Sequence, residues 1–284
     1  MNYTDIFKGE VIMTEYITTS LKNRPSDIFL AEEIASEYSL KYIQRDNLSL
    51  EDLFVEFNCS SLFMVKNKEL NLFNNKGDEL FFHPGTGLIR TKVMERKEED
   101  LLIKALGISP EDKVLDCTGG LANDSVVISY YLGKGSLTTL EKSRELFLIV
   151  KYGLLTYPGG SKKLKESFKR INLINTDYNS YFEKLDLNKS ENVFDSIYFD
   201  PMFEKPVEES SGISKIREYA SYDFISKEII EKALEHCRKR VVVKIRNNNY
   251  SFIRNMKPND LLGNSKSKIR YAVFEKHKIG YVNI

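Results

Sequence analysis

The sequence predicts an α/β protein in which a doubly wound, Rossmann-like parallel sheet spans residues 88–284 and a smaller mixed α/β unit spans residues 1–87. Three observations carry this reading. From about Leu88 onward, short apolar runs alternate with segments of helical period, the pattern of strands covered by helices. One run, Val114-Leu115-Asp116, passes through Gly119-Gly120 directly into a helix-like segment. Carboxylates recur where runs end, at Glu141, Asp177 and Asp200.

In the first unit, Val11 to Thr18 reads as a strand. Ser26 offers an N-cap to a helix whose apolar face is Ile28, Ala31, Ile34, Ala35 and Tyr38. A second helix starts at Ser49, where Ser-Leu-Glu-Asp resembles a capping box and Leu53, Phe54 and Phe57 form the apolar face. Ser61 to Lys66, Glu69 to Phe73 and Glu79 to His83 are expected as short strands, separated by Asn-Lys and Asn-Asn-Lys-Gly turns. In the second unit the expected strands are Lys113 to Cys117, Ser136 to Leu140, Ile171 to Asn175, Phe194 to Phe199 and Arg240 to Ile245. Helices are expected over Asp124 to Leu132, Arg144 to Leu155 and Tyr222 to Cys237. A closing antiparallel pair is expected from Tyr271 to Glu275 and Gly280 to Ile284.

Composition narrows the chemistry. The 284 residues are 42% hydrophobic and 29% charged, enough to bury a substantial core. The formal net charge is +1, so a nucleic-acid partner would be met by local basic patches rather than by the field of the whole chain. Candidate patches are Lys162, Lys163, Lys165, Lys169 and Arg170; Arg238, Lys239 and Arg240; and Lys266, Lys268 and Arg270. Cys59, Cys117 and Cys237 are too scattered for a disulfide framework or a zinc site, and they suit a reducing compartment. His83, His236 and His277 lack ligand spacing, and no metal is implied. Residues 1–15 intersperse Asp5, Lys8, Glu10 and Glu15 among apolar residues, reading as neither signal peptide nor membrane span. A cytoplasmic monomer with no membrane association is the expectation.

The glycine turn is the first of four converging motifs. Asp116 closes the strand, Gly119 and Gly120 permit close backbone approach, and the helix after Asn123 presents its N-terminus, an arrangement suited to a nucleotide-type ligand. It is not a phosphate-binding P-loop, because no Gly-Lys-Ser/Thr follows. Glu141 ends the next strand, where such folds hydrogen-bond a ribose diol. Asp177 follows the third strand, where it can accept from an adenine amine while Tyr178 packs nearby. Capping and turn formation remain alternatives at each carboxylate. Taken in order, the tips suit S-adenosylmethionine rather than a nicotinamide dinucleotide. The fourth motif, Asp200-Pro201-Met202-Phe203, puts a carboxylate, a rigid turn and an aromatic ring at the mouth of a buried strand, which suits holding a flat, amine-bearing base.

With these residues in view, the chain from about Phe82 onward resembles the class I S-adenosylmethionine-dependent methyltransferases. It is most similar to the small-subunit ribosomal RNA guanine-N2 methyltransferase group known as RsmJ. The landmarks are Val114 to Asp124, Leu140 to Lys142, Tyr198 to Phe203 and Lys239 to Lys244. The resemblance implies that Asn123, Asp124, Glu141, Lys142, Asp177, Tyr178 and Asp200 contact the cofactor. The chain departs from the family pattern at Asn123, usually arginine, at Ala122, usually glycine, and at Asp177 and Tyr178, usually a pair of serines.

On this reading Asp200 and the Pro201 carbonyl accept the two hydrogens of an exocyclic amine, and Phe203 stacks on the base, which must leave its helix or already be unpaired. Such an amine is a poor nucleophile because its lone pair is delocalised into the ring, so orientation matters more than deprotonation. Lys244, Arg246, Arg90 and Arg96 are candidate phosphate contacts. The expected partner is ribosomal RNA or the small ribosomal subunit, with the first unit helping to hold it. Adenine in DNA or RNA, a protein glutamine amide, or a cofactor-binding protein without catalysis stay open as alternatives.

Overall fold

The structure, a computed structural model, describes residues 15–185, 189, 193–201, 225–264 and 266–276. The chain divides into two compact units, one ending at Phe81 and the other beginning at Phe82.

The first unit holds β1 (Tyr16–Thr19), α1 (Pro25–Tyr38), β2 (Lys41–Tyr42), α2 (Leu50–Glu56), β3 (Ser61–Lys66), β4 (Glu69–Asn74) and β5 (Glu79–Phe81). Its sheet runs β2-β1-β3-β4-β5, with β1 parallel to β2 and β3 and the last three strands an antiparallel meander. Residues 11–14 of the expected first strand lie outside the described residues. The capping box at Ser49 forms: its Oγ accepts from the Asp52 N–H at 3.0 Å, and Asp52 Oδ2 accepts from the Ser49 N–H at 2.9 Å. The expected cap at Ser26 does not. Helix α1 begins two residues earlier, with Arg24 at the cap and Pro25 in the first turn, because proline has its helical φ built in and lacks only an N–H that would be unbonded there. Asp27, fully buried, accepts from the amides of Asn67 at 3.0 Å and Lys68 at 2.9 Å. Those two residues form the β3–β4 turn with φ of 54° and 66°, so one carboxylate ties the helix to a left-handed hairpin turn.

The second unit holds α3 (Gly85–Glu95), α4 (Leu101–Leu106), β6 (Lys113–Asp116), α5 (Asn123–Tyr131), β7 (Ser136–Glu141), α6 (Arg144–Thr156), α7 (Lys162–Lys169), β8 (Ile171–Asn175), α8 (Tyr178–Glu183), β9 (Phe194–Phe199), α9 (Lys227–Glu235), β10 (Cys237–Arg246), α10 (Tyr250–Met256), β11 (Asp260–Leu262) and β12 (Ile269–Glu275). Seven strands run in the order β11-β12-β10-β9-β6-β7-β8. Strands β8, β7, β6, β9 and β10 are mutually parallel, and β12 is antiparallel to both β10 and β11. The chain leaves β6 toward β8 and then returns to β9, so the strand order reverses between β6 and β9 and places the ligand crevice at their carboxyl ends.

All five expected parallel strands are present. Their cores, such as Val114, Leu115, Ile197, Tyr198, Phe199, Val241, Val242 and Val243, are fully buried, as runs covered on both faces must be. One expectation changes and another lies outside the described residues. The helix expected to Cys237 stops at Glu235, because Cys237 already pairs with Phe194 and opens β10; its first residues, 222–224, lie outside the described residues. The antiparallel partners of β12 among the described residues are β10 and β11; residues 280–284, expected in that role, lie outside them. No described helix is long and apolar enough to cross a membrane.

Candidate active site

At the end of β6 the chain turns sharply against β7. The Gly119 N–H donates to the Leu140 carbonyl at 2.7 Å. A Cβ on Gly119 would stand 2.9 Å from Thr139 Cγ2 and 3.1 Å from that same carbonyl, so only glycine fits. Gly120 has φ 52° and open space where a side chain would project. Ala122 caps α5 at φ 58°, a left-handed conformation that glycine adopts without penalty, which accounts physically for the glycine of the resembling family there. Asp116, 1% exposed, is turned inward: one oxygen accepts from Ser125 Oγ at 2.6 Å and the other from the Thr118 N–H at 3.1 Å. Burial pushes its carboxyl up to about 7.

Glu141, at the tip of β7, spans the gap to this turn. Its Oε2 accepts from the Gly120 N–H at 2.6 Å and its Oε1 from the Ser143 N–H at 2.7 Å. Burial pushes this carboxyl up to about 7, against the pull of those amides. Lys142 beside it is exposed. At the next tip Asp177 caps α8, accepting from the Ser180 N–H at 3.0 Å. Tyr178 is 4% exposed and packs edge-on against Phe199, with centroids 5.5 Å apart, in the core beneath the crevice.

Asp200 follows β9. Its N–H donates to Thr118 Oγ1 at 2.6 Å, joining the two turns across the point where strand order reverses. Its Oδ2 accepts from Lys244 Nζ at 2.7 Å, and the side chain remains 28% exposed. Burial raises its pKa, a tendency Lys244 opposes. Pro201 is half-buried beside it. Met202 and Phe203, the remainder of that motif, lie outside the described residues.

Behind Asp200 runs a chain of charges that the sequence did not reveal as a unit. Lys244 Nζ also donates to Asp124 Oδ2 at 3.0 Å, and Tyr198 Oη donates to the same oxygen at 2.8 Å. Arg90 donates to Asp124 Oδ1 and forks onto Asp100, with Nε to Oδ2 at 2.8 Å and Nη2 to Oδ1 at 2.7 Å. Burial opposes ionisation of Asp124, but Lys244, Arg90 and the tyrosine outweigh it and hold the carboxyl well below the usual range. The opposite balance raises Lys244: the carboxylates of Asp124 and Asp200 overcome its burial.

The structure therefore brings together Gly119, Gly120, Glu141, Asp200 and Pro201 at adjacent strand ends. It turns Asp116, Asp124 and Tyr178 inward. Asn123 faces α3, its Oδ1 accepting from the Gly87 N–H and Thr86 Oγ1, each at 3.2 Å. Lys244 and Arg90, expected at phosphates, are half-buried ion-pair partners instead. The cluster Arg238, Lys239 and Arg240 is likewise engaged, with Asp195, Asp112 and Glu275 respectively. Sequence reasoning missed the anchoring role of Thr118, although it sits between two residues already singled out.

Residues 43–276 match the family described as "Putative SAM-dependent methyltransferase", so the match begins inside the first unit. YpiP, an uncharacterised protein of Bacillus subtilis (strain 168), is 32% identical over 229 residues, spanning 80% of this chain and 87% of that protein. The ribosomal RNA small subunit methyltransferase J of Francisella tularensis subsp. novicida (strain U112) is 30% identical over 227 residues, spanning 74% of this chain and 89% of that protein. A SAM-dependent methyltransferase from Neisseria gonorrhoeae shares the fold, with a TM-score of 0.63 at 15% identity, covering 93% of this chain and 97% of that one.

Proposed function

Because the chain belongs to the S-adenosylmethionine-dependent methyltransferase family and is 30% identical to a ribosomal RNA small subunit methyltransferase J, we propose that it methylates the exocyclic amine of a guanine in small-subunit ribosomal RNA. The observation that carries the amine reading is Asp200: a carboxylate anchored through its backbone to the glycine turn, held by Lys244 and still open to the crevice.

The strand ends suit the cofactor. Open space above Gly120 and the carboxylate of Glu141 lie at neighbouring tips, the places a nucleoside with a ribose diol requires. We assign Gly119, Gly120, Glu141 and Lys142 to the cofactor. Asp116, Asn123, Asp124, Asp177 and Tyr178 shape that surface from behind. When bound, S-adenosylmethionine supplies a methyl group made electrophilic by its sulfonium. The protein's part is orientation. Asp200 and the Pro201 carbonyl accept the amine hydrogens and turn the nitrogen lone pair toward the methyl-bearing side of the crevice, and holding two reactants so is worth effective molarities of about 10⁵ M or more. The proton leaves after transfer, so no histidine base is needed.

The test offers purified protein and radiolabelled S-adenosylmethionine to assembled small subunits, naked ribosomal RNA, DNA and total protein in parallel. Label in small-subunit RNA, recovered as N2-methylguanosine and lost with Asp200→Ala, is expected. Label confined to DNA or protein overturns the substrate. Cofactor binding without transfer to any acceptor overturns the activity assigned to Asp200.

Glu141 carries a pH prediction. An ionised carboxylate accepts ribose hydroxyls, and a carboxyl raised to about 7 is half protonated at neutrality. Cofactor affinity measured by calorimetry is expected to fall as pH drops below 7, by up to about tenfold per unit. Glu141→Gln should flatten that slope and weaken binding at pH 8. An unchanged slope in the variant would remove Glu141 from cofactor recognition.

A further inference from the structure

Among the described residues, Lys244 is the one cation that touches both the hub of the charge chain and the carboxylate at the crevice. Register puts it there. Strand β10 pairs in parallel with β9, Val243 standing opposite Phe199, so Lys244, still within β10, stands level with Asp200 just past the end of β9. The lysine is 19% exposed, and its bond to Asp200, 2.7 Å, is shorter than that to Asp124, 3.0 Å. Asp124 already accepts from Arg90 and Tyr198, and Arg90 is tied further to Asp100. For Asp200, by contrast, Lys244 is the ion-pair partner among the described residues.

We propose that Lys244 is a positioning residue for methyl transfer: clamped by Asp124, its ammonium holds Oδ2 of Asp200 and leaves the other oxygen to accept a hydrogen of the acceptor amine. The inference rests on the reading of Asp200 as the carboxylate that holds that amine. A carboxylate on a turn can rotate, which would aim its free oxygen away from the amine, and a protonated one would present an O–H donor where an acceptor is needed. Lys244 acts against both outcomes. It fixes the rotamer through a bond braced on α5, and it keeps negative charge on a group that burial pushes toward neutrality. Among the described residues, the other groups facing this pair are Asp124 on α5, Arg90 on α3, Asp116 on β6, Tyr198 on β9 and Tyr271 on β12. Of these, only Arg90 is a second cation, and it bonds Asp124 and Asp100 rather than Asp200.

The test is a double-mutant cycle in single-turnover transfer to small ribosomal subunits at saturating cofactor, from pH 5.5 to 9. Lys244→Met is expected to slow transfer about 10- to 100-fold at pH 7, while cofactor affinity measured by calorimetry moves less than about threefold. The acid limb of its pH profile should move up by about one unit, because an unpaired Asp200 ionises later. Lys244→Arg should restore the limb. In the Asp200→Asn background, Lys244→Met should cost less than about threefold more.

Equal losses in both backgrounds, or a loss that follows cofactor affinity or secondary structure measured by circular dichroism, would make Lys244 merely structural. A readout that needs no acceptor separates this outcome from a wrong substrate. In protein labelled with ¹³C-carboxyl aspartate, the Asp200 resonance should titrate at higher pH in Lys244→Met, or, should that variant unfold, in Lys244→Gln, with cofactor affinity kept. An Asp200 titration indifferent to residue 244 overturns the proposal, whichever acceptor is methylated.

Discussion

Asp200→Asn is expected to lower the rate of methyl transfer at saturating cofactor by about 10²- to 10³-fold, the cost of losing one preorganised polar group at a reacting centre. The substitution keeps the volume of the side chain and the backbone bond to Thr118, so the turn itself should survive. What changes is charge and acceptor capacity. The amide has one accepting oxygen where the carboxylate has two, and Lys244 and the acceptor amine must compete for it. Single-turnover rates with small subunits, together with calorimetric cofactor affinity, check this. A loss that vanishes as cofactor concentration rises would assign Asp200 to cofactor binding instead of the acceptor.

Asp124→Ala should cost the most stability. Its carboxylate accepts from Arg90, Lys244 and Tyr198, and removing it strands two half-buried cations and a buried hydroxyl. Breaking a buried pair this way costs about 3–5 kcal/mol. For a unit of this size, that corresponds to a fall in Tm of about 6–20 °C. Asp124→Asn, which retains one accepting oxygen, should fall between. The pH dependence has a definite sign. Asp124 ionises below the usual range in the folded state, so its contribution is present above the unfolded value near 4 and fades as pH falls toward the folded one. Thermal scans should therefore show the gap between wild type and Asp124→Ala closing below about pH 4. A gap constant to pH 2 would mean that the carboxylate's charge contributes nothing.

The parallel sheet was legible because its strands are covered on both faces, and such strands write themselves as apolar runs. Several helices were not. Helix α3 opens with Gly85-Thr86-Gly87, residues that favour turns, yet Gly87 is required because a Cβ there would stand 2.7 Å from the Asn123 carbonyl. Helices α4, α8 and α10 are of six or seven residues, too short to display a period. The carboxylates at the strand tips could be found, but not the direction in which each one faces. Asp116 and Asp124 look as available as Glu141 in the sequence, and only packing shows their oxygens taken by Ser125 and by Tyr198, Lys244 and Arg90. Lys244 is the sharpest case. A lysine closing a valine run reads as a solvated strand end, and its two partners lie 44 and 120 residues earlier. Charge pairing at that range leaves no local signature.

The hydrogen bond from the Asp200 amide to Thr118 Oγ1 makes the two halves of the crevice report on each other. Whatever steadies the glycine turn also steadies the turn that meets the acceptor, and linkage requires the favour to be returned in equal measure. Cofactor loading should thus slow hydrogen exchange at the Asp200 amide, and a docked acceptor should slow departure of the cofactor. A single threonine hydroxyl would then couple the two binding events, each tightening the other whichever comes first.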